Sequence, residues 1–184
     1  MKKKVLILLA DGFEEIEAVT CIDVLRRANL EVVTASISKR RMVCGAHSIK
    51  IQADMKVSDS SGLPHALVLP GGMPGAKKLS KSLSVINLIK KCHKAGKIIA
   101  AICASPAVVL VPAGVLTGKK ATCYPEFEKD FDVKTTYTHK KVVRDDNIIT
   151  SQGPGTAFYF ALKIVEALKG QKTAKMVKKY ALVK

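Results

Sequence analysis

Residues 5–28 read VLILLADGFEEIEAVTCIDVLRRA, and this stretch contains the unit from which the whole chain is built. The apolar run 5–10 is short and uninterrupted by polar residues, as in a strand covered on both faces. Asp11-Gly12-Phe13-Glu14-Glu15 breaks it. Residues 15–28 then carry Ile16, Val19, Ile22 and Val24-Leu25 at helical spacing, the stripe of an amphipathic helix. The alternation recurs downstream. Residues 31–36 are a second strand, and 41–52 a small hairpin turning around Gly45. Residues 66–70 (ALVLP) form a buried strand stopped by GGMPG, and 84–95 a helix with Val85, Ile86 and Ile89 inward, closed by Gly96. Residues 97–103 (KIIAAIC) are a fourth strand, running into a helix over 105–111 with Pro106 in its first turn. Weaker strands come next, near 120–123 and 133–137. Strand 148–151 then leads through Gly153-Pro154-Gly155 into a helix over 156–169, and a short helix over 174–182 ends the chain. Strands alternating with such helices specify an α/β fold: a doubly wound, mostly parallel sheet with helices on both faces. No linker, repeat or low-complexity segment divides it, so 1–184 reads as a single domain.

Composition narrows the class. A chain of 184 residues with 48% hydrophobic content is neither disordered nor too small for a core. No apolar run reaches the length of a membrane span. The opening MKKKVLILLADGFEE has the basic start of an export signal, but its apolar part ends at Asp11, too early for one. An unexported, cytoplasmic protein with no membrane partner is expected. Lys and Arg number 31 against 15 Asp and Glu, a net charge of +16 that invites a nucleic-acid reading. However, the cations are scattered, with only short clusters at Lys2-Lys3-Lys4, Lys39-Arg40-Arg41, and Lys90-Lys91 with Lys94 and Lys97. With 5% aromatics and no Trp, base-stacking platforms are scarce, and a specific nucleic-acid partner is not expected. The acids are more telling. None occurs over 60–125, whereas Asp11, Glu14, Glu15, Glu17 and Asp23 crowd together. The cysteines at 21, 44, 92, 103 and 123 are odd in number and lack metal-ligand spacing, which implies free thiols, a reducing compartment and no metal.

In open α/β sheets, ligands sit at the carboxyl ends of the strands. There the first strand delivers the acidic loop with Glu17 just beyond, ALVLP delivers Gly71-Gly72, and KIIAAIC delivers Cys103. A cysteine on a sharp strand-to-helix turn is presented as a nucleophile, and the helix N-terminus behind it would lower its thiol pKa. Glu14 and much of Glu15 read as helix N-terminal acids. Glu17, flanked by Ile16 and Ala18, reads instead as a carboxyl held protonated near the crevice. Gly71-Gly72 is either a plain turn or a close backbone approach aiming the Gly72 N–H at an oxyanion. It has no phosphate-loop spacing. Among the histidines, His65, His93 and His139 do not read as bases for Cys103. His47, in the hairpin, could line a site formed with a partner or be a plain surface residue.

The pieces VLILLADGFEEIEAV with Asp23-Val24-Leu25-Arg26-Arg27, LVLPGGMPGA, AAICASP and TSQGPGTAFYFALKIVEAL resemble the ThiJ/PfpI superfamily. The resemblance is to the branch of the parkinsonism-associated deglycase and its bacterial YajL-type relatives, in family order over nearly the whole chain. It implies a flavodoxin-like sandwich that forms a homodimer, with Cys103 as elbow nucleophile, Glu17 as its protonated partner, and Gly72 and Ala104 as backbone oxyanion donors. His47, Gly71, Tyr124, Arg27 and Asp23 are the remaining candidate substrate contacts. The implied activity is cofactor-free conversion of 2-oxoaldehydes such as methylglyoxal and glyoxal to 2-hydroxy acids, with deglycation of early glycation adducts. The alternatives are a redox-sensing cysteine protein or chaperone and, ranked lower, a peptidase or amidotransferase. Two departures stand out: Tyr124-Pro125 where the eukaryotic branch often has His-Pro, and His47 where it has a basic residue.

Overall fold

The computed structural model describes residues 2–183. Its elements run β1 (Lys4–Leu9), α1 (Glu15–Arg27), β2 (Glu31–Ser36), β3 (Met42–Cys44), β4 (Lys50–Gln52), β5 (Met55–Lys56), β6 (Ala66–Leu69) and α2 (Gly75–Lys81). Then come α3 (Leu83–Lys94), β7 (Ile98–Ile102), β8 (Lys120–Ala121), β9 (Thr136–Tyr137), β10 (Val142–Asp145), β11 (Ile148–Ser151), α4 (Ala157–Lys169) and α5 (Gln171–Tyr180). The central sheet has the order β10-β11-β7-β6-β1-β2-β5, parallel throughout except for β10 against β11. Its core, β2-β1-β6-β7-β11, is the flavodoxin-like order, which reverses direction between β1 and β6.

Side-chain alternation divides the core into two layers. Val5, Ile7 and Leu9 of β1 join α1, α4 and α5 on one face, while Leu6 and Leu8 join α2 and α3 on the other. Both layers exclude water from β1, which explains its unbroken apolar run. Each fully buried Leu, Ile or Val contributes about 1.5–3 kcal/mol.

Several elements differ from expectation. Ile16 and Val19 are not in the α1 stripe: they are 56% and 47% exposed, and the buried face is Glu15, Glu17, Ala18, Cys21, Val24 and Leu25. Small Ala18 and Cys21 let α1 approach α4, so the bulkier residues turn outward. Short α2 carries only Ala76 and Leu79 inward among its lysines, too faint a period to read as a helix. β5 and β10 are edge strands, β10 forming a hairpin with β11 through Asp146 at φ +54°. The helix expected over 105–111 is present as a short π-helix over Pro106–Leu110, and the last helix starts earlier than expected, at Gln171. The weak strands shrink to two-residue β8 and β9, which pair with each other outside the main sheet. Among the described residues, no helix is long and apolar enough to cross a membrane.

Candidate active site

β7 ends against a strained residue. Cys103 has φ +64°, the left-handed region that costs a non-glycine residue about 1–2 kcal/mol. Its backbone is fixed at both ends: its N–H donates to the Ser151 carbonyl at 3.0 Å, and its carbonyl accepts from the Tyr124 N–H at 2.9 Å. Two residues on, the buried Ser105 hydroxyl donates to the Pro70 carbonyl at 2.6 Å, tying this elbow to the end of β6. The sulfur is thereby held clear of the sheet.

The Gly71-Gly72 loop closes the other side. The Gly71 N–H donates to Glu17 Oε2 at 2.7 Å, and Glu17 is fully buried on the first turns of α1. Glu17 Oε1 is buried with no hydrogen-bond partner among the described residues. A Cβ on Gly71 would lie 2.5 Å from Cys103 Cβ, 2.9 Å from Glu17 Oε2 and 3.0 Å from Cys103 Sγ, so the thiol and the carboxyl flank one glycine. Gly72 sits at φ +86°, where a Cβ would strike the Glu14 nitrogen and the Gly12 carbonyl. Backbone N–H groups of Gly72 and Ala104 reach the sulfur.

Burial dominates the electrostatics. It lifts the Glu17 carboxyl to about 7, and the Glu14 charge adds to this, against the Gly71 N–H and Cys103 hydrogen bonds that hold it down. Burial and then the Glu17 charge push the Cys103 thiol up to about 12, opposed by the N–H groups of Gly72 and Ala104. This corrects the expectation of a thiol lowered by a helix N-terminus, since burial and the charge of Glu17 outweigh the Ala104 N–H at the start of that helix. Two of the upward influences belong to ionised Glu17. Once Glu17 holds a proton, its charge vanishes and its O–H can donate to sulfur, favouring thiolate. Thiol and carboxyl therefore titrate as a pair. Burial also raises Cys92 to about 11, against the pull of the Lys97 charge, and burial with nearby Glu128 and Asp130 raises Cys123 to about 12.

The other candidates divide. Tyr124 lies at the elbow, 46% exposed and packed edge-on against Phe127, and it shares a shallow groove of about 210 Å³ with Pro125 and residues 152–156. His47 is held by Glu15: its N–H donates to Oε1 at 2.6 Å, and Nδ1 stands 2.9 Å from Oε2. Glu15 is 4% exposed, so it is a buried anchor for the β3–β4 hairpin and not simply a helix-end acid. Sequence reading missed this because the partner lies far along the chain. Asp23 and Arg27 are not brought to Cys103. They pair with each other at 2.6 Å on α1, and Arg27, about 15 Å along the helix from Glu17, lines a groove with Met176 and Tyr180. Glu14, Glu15 and His47 place ligand atoms within 4.8 Å of one another, although the Glu15–His47 hydrogen bond already occupies two of them.

A flavodoxin-like sandwich whose switch-point crevice joins a cysteine elbow to a buried glutamate defines a family, and sequence comparison supplies its name. The chain belongs to the DJ-1/PfpI family, which matches residues 3–167. It is 40% identical to Arabidopsis thaliana protein DJ-1 homolog B over 98% of its own length. It spans less than half of the two Arabidopsis proteins, 41% of homolog B and 47% of homolog A. A Caenorhabditis elegans relative named glutathione-independent glyoxalase DJR-1.2 is 38% identical, covering 100% of this chain and 98% of that one. The structure of oxidized Toxoplasma gondii DJ-1 superposes with a TM-score of 0.93 at 40% identity, covering 98% of both chains.

Proposed function

We propose that Cys103 and Glu17 convert 2-oxoaldehydes to 2-hydroxy acids without a cofactor. The observation that carries this reading is the buried Glu17 carboxyl, with one oxygen unpartnered, beside the thiol of a strained elbow. The name of the Caenorhabditis relative agrees with it. With the pair's proton on Glu17, the thiolate attacks the aldehyde carbon. A C–S bond forms, and the former carbonyl oxygen takes the Glu17 proton. The resulting carboxylate removes the hydrogen on that carbon as a proton and returns it to the neighbouring carbon, while the hydroxyl proton passes to the neighbouring oxygen, leaving a 2-hydroxy thioester. Water then cleaves the thioester, releasing the 2-hydroxy acid and the thiol. One carbon is oxidised and its neighbour reduced, so the sum is the addition of one water and needs no external oxidant. A carboxyl raised to about 7 suits both proton transfers at neutral pH. Early glycation adducts offer related carbonyls and fall within the same proposal.

Incubation with methylglyoxal and assay of lactate tests the reading. Cys103→Ala is expected to fall to the uncatalysed rate and Glu17→Gln to lose about 10²-fold or more in kcat. Undiminished turnover in Cys103→Ala overturns it.

A redox-sensing role is the second reading, favoured by the donors that surround the sulfur: the Gly72 and Ala104 N–H groups and protonated Glu17 can hold sulfinate oxygens. Under mild peroxide, gain of two oxygens at Cys103 in a protein that forms no lactate selects this reading over catalysis. A hydrolase triad has little support. Among the described residues none of the four histidines acts on Cys103: His47 is held by Glu15, His65 accepts from the Lys4 N–H, His139 packs against the Tyr137 ring, and His93 lies on α3 beside Cys92. We also propose a homodimer, formed where Ile16, Val19 and Ile49 stand exposed around Glu15.

A further inference from the structure

The tract without acids, residues 60–125, supplies both helices of one sheet face, and the proposed chemistry leaves their charge unused. α2 and α3 pack side by side over the same core layer, so their outer surfaces point the same way. Those surfaces expose Lys77, Lys78, Lys81, Lys90, Lys91 and Lys94. None of the six forms an ion pair among the described residues. Some cations elsewhere find carboxylates, as Arg27 finds Asp23 and Lys163 finds Glu166. Here there is none within the tract to find.

An open groove of about 520 Å³ runs along this face between the loop at 60–63 and the last turns of α3. Leu63 and Leu88 give it apolar surface, and Lys91 and Lys94 stand on its wall. Leu63 is 39% exposed and Leu88 half-buried, so apolar area is recessed among cations. We propose that the α2–α3 face docks an acidic polypeptide segment, with one apolar side chain seated between Leu63 and Leu88 and flanking carboxylates over Lys91 and Lys94.

Charge complementarity selects a polyanion, and the groove selects its kind. A flat bilayer does not reach a recessed floor, whereas a protruding side chain does. A nucleic acid gains from aromatic stacking. No Phe, Tyr or Trp lies between Phe13 and Tyr124, so neither α2 nor α3 offers a platform. An acidic peptide with an apolar anchor uses both the leucines and the lysines.

The probe is a fluorescein-labelled peptide of glutamates around a central leucine, titrated with the full chain and followed by anisotropy. Replacing its leucine by serine is expected to weaken binding about tenfold, the value of one buried aliphatic side chain. The Lys91→Glu/Lys94→Glu variant is expected to lose about tenfold or more, while Lys175→Glu/Lys178→Glu on α5 changes it less than twofold. Lactate turnover and melting temperature report folding. Should the Lys91/Lys94 variant unfold, the leucine-to-serine comparison on the unaltered protein decides alone. Equal loss in the two charge-reversal variants, or equal binding of the two peptides, overturns the proposal. So does displacement of the peptide by oligothymidylate or phosphatidylserine vesicles at lower concentration than by unlabelled peptide.

Discussion

Glu17 is an acid whose ionised form the fold penalises, and that penalty is measurable apart from catalysis. Its folded value is about 7, against an ordinary 4.5. Between these values the folded chain keeps a proton that the unfolded chain releases, so stability falls as pH rises through this window, by about 3 kcal/mol in all. Glu17→Gln has no proton to lose, and its amide can still accept from the Gly71 N–H. Its melting temperature relative to the parent should therefore climb by about 5–10 °C between pH 4.5 and 8. Parallel pH curves would contradict the burial argument. Gly71→Ala tests the geometry from the other side. Its Cβ would intrude on both Cys103 and Glu17, so displacement of either is expected to cost about 10²-fold in lactate kcat, with about 1–3 kcal/mol of stability lost to overpacking. Cys103 and Glu17 were legible as candidates because ligands gather at strand ends, and both residues stand just past the end of an apolar run. The direction of the thiol pKa was not legible, because desolvation depends on which parts of the fold cover the site.

At the scale of elements, the β3–β4 hairpin hangs from the loop after β1. The Cys44 N–H donates to Asp11 at 2.9 Å, the Ala46 N–H to the Phe13 carbonyl at 2.8 Å, and the His47 N–H to Glu15 at 2.6 Å. Burial raises Glu15, but the His47 hydrogen bond and the backbone N–H groups outweigh it and carry its pKa below 4.5. The bond to Glu15, with the nearby charge of Glu14, lifts His47 above 6.5. Glu15 therefore contributes above 4.5 and loses that contribution as pH falls through its lower folded value. His47 contributes fully below 6.5 and loses it as pH rises through its higher one. Hydrogen exchange of the hairpin amides should be slowest between pH 4.5 and 6.5, after correction for intrinsic rates, and Glu15→Gln should speed it about tenfold or more. A pH-independent protection factor would show that the pair does not hold the hairpin. The sequence made this hairpin visible through its turn residues but not its anchor, which depends on a contact across the fold. It likewise made α1 visible as a helix while misplacing its inner face, because apolar spacing cannot tell that Ala18 and Cys21 suit close packing better than Ile16 and Val19. The long buried strands β1, β6 and β7 were the most legible, since both sheet faces demand apolar side chains and nothing else competes.

At the scale of the molecule, the net charge of +16 sets how two copies would meet. Two chains of that charge repel over a distance that salt controls, about 30 Å at 0.01 M and about 8 Å at 0.15 M. The surface proposed for association carries few uncompensated charges, since Asp23 pairs with Arg27, Asp11 with Arg40 and Glu15 with His47, so repulsion is least there, and a two-fold axis would place it against itself. Exposed Ile16, Val19 and Ile49 provide its apolar contact. Sedimentation equilibrium should show two effects. The dimer should tighten as salt rises from 0.01 to 0.15 M, the reverse of an interface held by opposite charges. Val19→Asp, which adds a buried carboxylate on each side of the axis, should yield monomer at micromolar concentration with the melting curve of the fold retained. A dimer that weakens with salt, or that survives Val19→Asp, would move the interface away from α1. Lactate turnover in the monomeric variant then tells whether the Cys103–Glu17 pair works within one chain or needs the partner to close its mouth.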